Sequence, residues 1–133
     1  MQAEGAAVVG RRMYDVTGGW GGSSPFGMPC IVVTHRLDQQ PEPASGFEFV
    51  ERVEAAIDRA REIAGDEDVV IGGGASIAQQ ALRAGLVDEL HLHIAPRLLG
   101  AGARLFEGVA PRELVPTQVI GSRDVTHIRY RLS

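Results

Sequence analysis

The segment VVIGGGASIAQQAL, from Val69 to Leu82, constrains the fold of this chain more than any other stretch. A run of β-branched residues leads into three consecutive glycines, and a run with helical spacing follows. This order predicts an apolar strand, a tight turn and a helix that begins at the glycines. Glycine loses more backbone freedom on folding than any other residue. Three in a row therefore indicate that something approaches the backbone closely at this point.

The rest of the chain predicts an α/β domain in which helices alternate with apolar strands. Apolar residues at i, i+3, i+4 and i+7 predict a helix over 53–64 that ends at Gly65. A second helix is predicted over 75–84, where Ser76 and Gln79 match a capping box. Segments 11–29 and 36–46 are interpreted mainly as loops. The remaining predicted strands cover residues 6–10, 30–35, 47–50, 89–95, 114–121 and 124–132.

Helices between apolar strands indicate a partly parallel sheet that is covered on both faces. The last two predicted strands turn at residues 121–124 and form an antiparallel pair at its edge. The order of elements shows no internal repeat and no linker. We therefore expect one domain that spans residues 1–133.

Composition excludes several classes of function. The net charge is −4, which argues against a nucleic-acid partner, since binding to phosphate backbones generally needs a basic surface. Cys30 is the single cysteine, which excludes an internal disulfide and a multi-cysteine metal site. Proteins of the reducing cytoplasm commonly lack disulfides. No apolar run reaches the roughly 20 residues of a membrane span. We expect a cytoplasmic protein without a membrane partner.

The glycine segment favours an anion site. A helix N-terminus presents free amide N–H groups and the positive end of the helix dipole, and glycines let a phosphate approach closely. The residues of this candidate pyrophosphate cradle are Gly72, Gly73, Gly74, Ala75 and Ser76. The alternative is a tight strand-to-helix turn that binds nothing. Neither the Rossmann fingerprint nor the P-loop pattern is present.

Polar clusters also follow two other predicted strands. Arg11 and Arg12 come directly after the first strand, and a guanidinium presents a planar fork of donors to phosphate oxygens. Thr34, His35 and Arg36 lie at the carboxyl end of the second strand and offer a hydroxyl, an imidazole and a guanidinium. Each cluster alone could be a solvated loop. Together with the glycines they follow three strands, and the carboxyl ends of strands are where open α/β sheets bind ligands.

Two further groups of residues have alternative interpretations. Trp20 and Phe26 could cover a flat heterocyclic substrate, or could pack onto the core. His91 and His93 share one face of a strand with Glu89 and could begin a metal site. The sequence places no third ligand beside them, so we expect no metal and interpret them as a polar strand face or a subunit interface.

Four segments resemble the dihydrofolate-reductase-like family: VVGRRMYD, CIVVTHR, VVIGGGASIAQQALRAGLVDELHLHIAPRLLGAGARLFEG and VTHIRYRL. The riboflavin-biosynthesis reductase branch, the RibD C-terminal domain, is the most similar in pattern. The resemblance runs from Gly5 to Leu132. It implies an α/β fold with a mostly parallel sheet, flanking helices and an antiparallel C-terminal strand pair.

The resemblance also implies a function. It implies an NADPH-dependent reductase of a small heterocycle such as 5-amino-6-(5-phosphoribosylamino)uracil or dihydrofolate, and we expect a homodimer. A nicotinamide cofactor supplies the hydride, while the protein supplies orientation and electrostatics. The sequence identifies no catalytic acid. The residues implied to bind NADPH are Gly10, Arg11, Arg12 and Met13 at the cofactor phosphates, Thr34, His35 and Arg36 at the 2′-phosphate, and Gly72, Gly73, Gly74, Ala75, Ser76 and Ile77 at the pyrophosphate.

One departure from the family pattern bears on function. The family has a strand and a helix ahead of the VVGRR segment, and we expect both to be missing here. That strand lies near the middle of the sheet and contributes to the substrate pocket. Its absence implies a fragment, a sheet that closes over the gap, or a second subunit that fills it. The alternative function is therefore a non-catalytic NADP(H)-binding or oligomer-forming domain.

Overall fold

The protein is described by a computed structural model that covers residues 4–24 and 27–132. Its strands are β1 (Glu4–Gly10), β2 (Cys30–Val33), β3 (Phe47–Val50), β4 (Asp68–Gly73), β5 (Glu89–Ile94), β6 (Leu114–Gly121) and β7 (Thr126–Leu132). Its α-helices are α1 (Arg11–Val16), α2 (Val53–Ala64) and α3 (Ala75–Arg83). Short 3₁₀ turns lie at Gly18–Gly22, Leu37–Gln39 and Pro43–Ser45.

Four strands form a parallel sheet in the order β3-β2-β1-β4. The central strands β1 and β2 are apolar and almost wholly buried, which is typical of parallel strands covered on both faces. Because the strands are parallel, the carboxyl ends of β1, β2 and β4 meet at one edge. The predicted arrangement of the three clusters after these strands is confirmed.

Each face of the parallel sheet has its own apolar cluster. On one face, alternate residues of β1 and β2 pack against the buried stripes of α2 and α3. On the other face, Phe47 and Phe49 pack with the next set of β1 and β2 residues and with Tyr14 and Trp20. The two faces explain why β1 and β2 are uninterrupted apolar runs rather than alternating ones.

The remaining strands form a separate antiparallel sheet in the order β5-β7-β6. The C-terminal pair β6 and β7 is confirmed, and β5 joins it as a third strand through pairs such as Leu92 with Ile128. The α/β fold class is confirmed, with a parallel sheet flanked by helices. The antiparallel part is larger than the predicted edge pair.

The strands β4 and β5 do not pair with each other. In the described part of the chain, each has one edge with no strand partner, so the two sheets stay separate. One of the three alternatives for the missing strand was a sheet that closes over the gap. Across the residues that it describes, the structure does not show this closure. Among the helices of these described ranges, none combines the length and the apolar character needed to cross a membrane.

Two local predictions were wrong. Residues 11–16 form the helix α1 instead of a loop, because Arg11 pairs with Asp15 four residues later and Tyr14 packs against Phe47 and Phe49. The capping box does not form, because α3 begins at Ala75 and leaves Ser76 inside the first turn. The Ser76 hydroxyl instead accepts a hydrogen bond from Gln80 Nε2 at 3.1 Å.

Candidate functional site

An open cavity of about 920 Å³ lies at the carboxyl ends of β1, β2 and β4. Its lining comes from the segments that follow these three strands and from a distant loop. The predicted cofactor residues that line it are Gly10, Arg11, Arg12, Met13, Thr34, His35, Arg36, Gly74, Ala75, Ser76 and Ile77. Gly72 and Gly73 do not line it. The structure therefore brings eleven of the thirteen predicted residues around one space.

Two arginines of the lining are held by one carboxylate. Asp15 Oδ1 lies 2.9 Å from Arg11 Nε, and Asp15 Oδ2 lies 3.0 Å from Arg36 Nη2. Hydrogen bonds from Arg11 and Arg36 lower the pKa of the Asp15 carboxyl below its ordinary value. Arg11 also packs on Phe49, with its guanidinium carbon 4.7 Å from the ring centroid. Asp15 thus links the first basic cluster to the second.

The second cluster begins with a buried hydroxyl. Thr34 is 5% exposed, and its amide donates to the Val50 carbonyl at 2.9 Å. Its side-chain oxygen accepts a hydrogen bond from the Arg36 amide at 3.1 Å, which shapes the turn after β2. His35 is exposed, and its Nδ1 lies 3.6 Å from a carboxylate oxygen of Glu51. Thr34 is therefore a structural residue of the turn, while His35 and Arg36 extend toward solvent.

The three glycines have three different environments. A Cβ at Gly72 would lie 3.3 Å from Val9 Cγ1, so this residue lets β4 pack closely on β1. Gly73 has φ +133°, which L side chains rarely adopt, and the peptide bond to Gly74 is cis. A Cβ at Gly74 would meet nothing within 4 Å and would project from the lining. Of the three glycines, only Gly74 lines the cavity and leaves open space there for a ligand.

The N-terminus of α3 opens onto the cavity. Gly74 is the N-cap, and no side chain caps the helix. The first amide groups of a helix have no partner within the helix, so they can bind an anion. Ile77 is 7% exposed, and its Cγ1 would lie 3.0 Å from a Cβ at Gly10. The absence of a side chain at Gly10 therefore lets β1 and α3 meet at the cavity.

Sequence reasoning missed a loop that forms one wall. Gln79 Nε2 of α3 donates to the Arg104 carbonyl at 2.5 Å, and Arg83 Nη2 donates to the Glu107 carbonyl at 2.7 Å. These bonds fix the loop beside the cavity and add Arg104 to its basic residues. The glycine-rich sequence of this loop was the signal that could have indicated its place at the cavity. The unpredicted lining residues are Val16, Val33, Glu51, Gln79, Gln80, Ala103, Arg104 and Glu107.

The remaining predicted site residues lie elsewhere. Trp20 stacks on Phe47 with ring centroids 5.8 Å apart, and it does not line the cavity. This placement matches the interpretation in which the loop packs its aromatic residue on the core. Phe26 lies outside the described residues. Within residues 4–24 and 27–132, no three His, Cys, Asp or Glu side chains form a group that could hold a metal.

A family model for the RibD C-terminal domain matches residues 5–127. The chain belongs to the RibD C-terminal domain family. Family membership and the fold together support a reductase-type function, and the resemblance inferred from the sequence segments is confirmed. No curated protein sequence gives a significant match to the chain.

Solved structures share the fold at low sequence identity. A protein assigned to riboflavin biosynthesis from Shewanella sp. PV-4 has a TM-score of 0.78 and 22% identity, with 96% of this chain and 73% of that chain covered. Dihydrofolate reductase from Enterococcus faecalis, complexed with NADP(H), has a TM-score of 0.65 and 22% identity, with coverage of 99% and 76%.

A third similar structure comes from a longer chain. It is the diaminohydroxyphosphoribosylaminopyrimidine deaminase/5-amino-6-(5-phosphoribosylamino)uracil reductase of Thermotoga maritima, with a TM-score of 0.69 and 12% identity. The alignment covers 96% of this chain and 45% of that one. At these identities the three structures establish the fold of this chain.

Proposed function

We propose that this protein is an NADPH-dependent reductase of a small heterocyclic substrate. The observation that carries the proposal is the basic cavity, in which Arg11, Arg12, His35 and Arg36 share one space with the uncapped N-terminus of α3. A dinucleotide with a 2′-phosphate carries two groups of negative charge. The cavity has two kinds of anion site, a guanidinium cluster and a helix N-terminus.

The two anion sites suggest how the cofactor lies. The pyrophosphate would fit at the N-terminus of α3, where Gly74 leaves room and Ala75 and Ser76 line the cavity. The 2′-phosphate fits beside Arg36 and His35, which are exposed at the end of β2. The volume of about 920 Å³ falls within the range of ligand pockets, roughly 300–1,000 Å³. When bound there, a nicotinamide cofactor would supply the hydride, and the residues of the cavity would hold and orient it.

The substrate class rests on family membership rather than on the cavity. The candidates are 5-amino-6-(5-phosphoribosylamino)uracil and dihydrofolate, because a reductase of each kind shares this fold. Both molecules contain a flat nitrogen heterocycle. We assign no proton donor among the residues of this chain.

The first test is cofactor selectivity in an Arg36→Ala variant. Charge-assisted hydrogen bonds contribute about 1.5–3 kcal/mol, so NADPH binding should weaken by roughly tenfold or more. NADH lacks the 2′-phosphate, so its affinity should change little. The matched control is Arg52→Ala, which removes an exposed arginine paired with Glu54 outside the cavity lining. Equal losses for NADPH and NADH would contradict the placement of the 2′-phosphate.

The second test is turnover of the wild-type chain. Consumption of NADPH should depend on one of the two heterocycles, measured by the loss of reduced-nicotinamide absorbance. NADPH binding without turnover of either substrate would favour the non-catalytic NADP(H)-binding domain instead. No stabilisation of the fold by NADPH would reject both functions, because a ligand at 100 times its dissociation constant adds about 2.7 kcal/mol.

A further inference from the structure

Two histidines face each other across the antiparallel sheet. His93 of β5 and His127 of β7 are paired residues in the strand register. Their Nδ1 atoms lie 2.6 Å apart, and their ring centroids lie 4.8 Å apart at an interplanar angle of 73°. Neither residue lines the cofactor cavity. The pair is therefore a cluster of metal-ligating side chains that is separate from the cavity lining.

The two nitrogens are close enough to share one metal ion. In the structure they are in hydrogen-bond contact, with 2.6 Å between them. Two imidazole nitrogens bound to one metal at about 2.0–2.1 Å would lie about 2.8–3.0 Å apart at right angles and about 3.3–3.4 Å apart in a tetrahedron. A metal held by both Nδ1 atoms would therefore replace this hydrogen bond and move the nitrogens apart by less than about 1 Å.

The strands hold the two rings in place before any metal binds. The register pairs His93 with His127 and, two residues away, His91 with Arg129. Side chains two residues apart on a strand share a face, so His91 lies on the same side of the sheet as the pair. The pair is exposed, which leaves the remaining coordination positions to water. A preorganised ligand pair loses less conformational entropy on binding than two flexible side chains.

We propose that His93 and His127 form a two-imidazole site for a divalent transition metal of the class that prefers nitrogen ligands. Imidazole suits zinc, copper and nickel, and Cu²⁺ binds most tightly in the usual order of affinities. The metal would link β5 to β7. The proposal does not depend on the reductase function, since the two sites share no residue.

The test uses Cu²⁺ supplied as its iminodiacetate complex. This chelator occupies several positions on the metal and leaves others for imidazole, so a lone histidine or an amino terminus competes poorly. We expect one complex bound per chain and an electron paramagnetic resonance spectrum with coupling to two imidazole nitrogens. The His93→Ala and His127→Ala variants should each bind at least about tenfold more weakly, the lower range for loss of a supporting group around a metal.

The other two histidines of the chain provide controls. His35→Ala should bind the complex as wild type does, because His35 lies in the cofactor cavity. If His91→Ala keeps the affinity for the copper complex, the cross-strand pair is supported. If His91→Ala loses this affinity and His127→Ala keeps it, the proposal is overturned in favour of a site formed by His91 and His93. Unchanged binding in both His93→Ala and His127→Ala also overturns it. Conservative His93→Gln and His127→Gln variants, with circular dichroism of the metal-free forms, separate loss of a ligand from loss of the fold.

Discussion

Asp15 holds together two arginines of the candidate site. The sequence predicted the arginines but not this carboxylate. Its carboxylate pairs with Arg11 and Arg36, and these bonds lower its pKa below the ordinary value of an aspartate. A depressed pKa stabilises the folded state at pH values above the unfolded-state pKa. This stabilisation is lost as the pH falls through the lower folded-state pKa.

We therefore expect Asp15→Asn to lower stability near neutral pH and to match the wild type at acid pH. The difference in urea midpoint between the two proteins, followed from neutral pH to a pH below the ordinary pKa of an aspartate, measures this loss. Asp58→Asn is the control, since Asp58 is an exposed carboxylate on α2. A difference that stays constant across the whole range would contradict the ion-pair explanation.

At the scale of one element, the β4–α3 connection contains adjacent glycines with distinct roles. Gly73 has φ +133°, and a Cβ there would lie 3.2 Å from Met13 Sδ. Ala at this position should destabilise the protein by about 1–3 kcal/mol, the usual cost of a strained backbone conformation. The Gly73→Ala free energy of unfolding, measured by urea denaturation, tests this expectation.

Gly74→Ala is the matched variant for this connection. A Cβ at Gly74 meets nothing within 4 Å, so stability should change by less than about 0.5 kcal/mol. NADPH affinity should nevertheless fall, because the new methyl group would occupy the approach to the helix N-terminus. Equal destabilisation by the two substitutions would contradict the expectation that the backbone conformation of Gly73 and the crowding of a new Cβ against Met13 set the cost.

The elements also show what could be predicted from the sequence and why. Apolar runs revealed β1, β2 and β4, and the rule that parallel strands end at one edge then placed the three clusters together. The helix α1 could not be foreseen, because its six residues show too little periodicity and depend on Tyr14 packing against β3. The wall at Arg104 depends on a hydrogen bond from Gln79, 25 residues earlier, which no local pattern encodes.

At the scale of the whole molecule, the fold is two sheets with open edges. In the described ranges, β4 and β5 each leave one edge without a strand partner, and unpaired N–H and C=O groups favour pairing with another chain. Exposed apolar side chains lie on or just after β5. Ile94 is about half exposed, and Leu98 and Leu99 are almost fully exposed. These features favour association between copies of the chain, consistent with the expected homodimer.

We predict that the protein self-associates in a concentration-dependent manner, measured by sedimentation equilibrium. Ile94→Lys should shift the equilibrium toward the monomer, because a lysine on an edge strand opposes edge-to-edge pairing. Leu37→Lys is the control, since Leu37 is an exposed apolar residue in a 3₁₀ turn away from β4 and β5. A wild-type chain that stays monomeric at high concentration would contradict the prediction. An equal effect of both lysines would indicate general apolar association, without a role for the β5 edge.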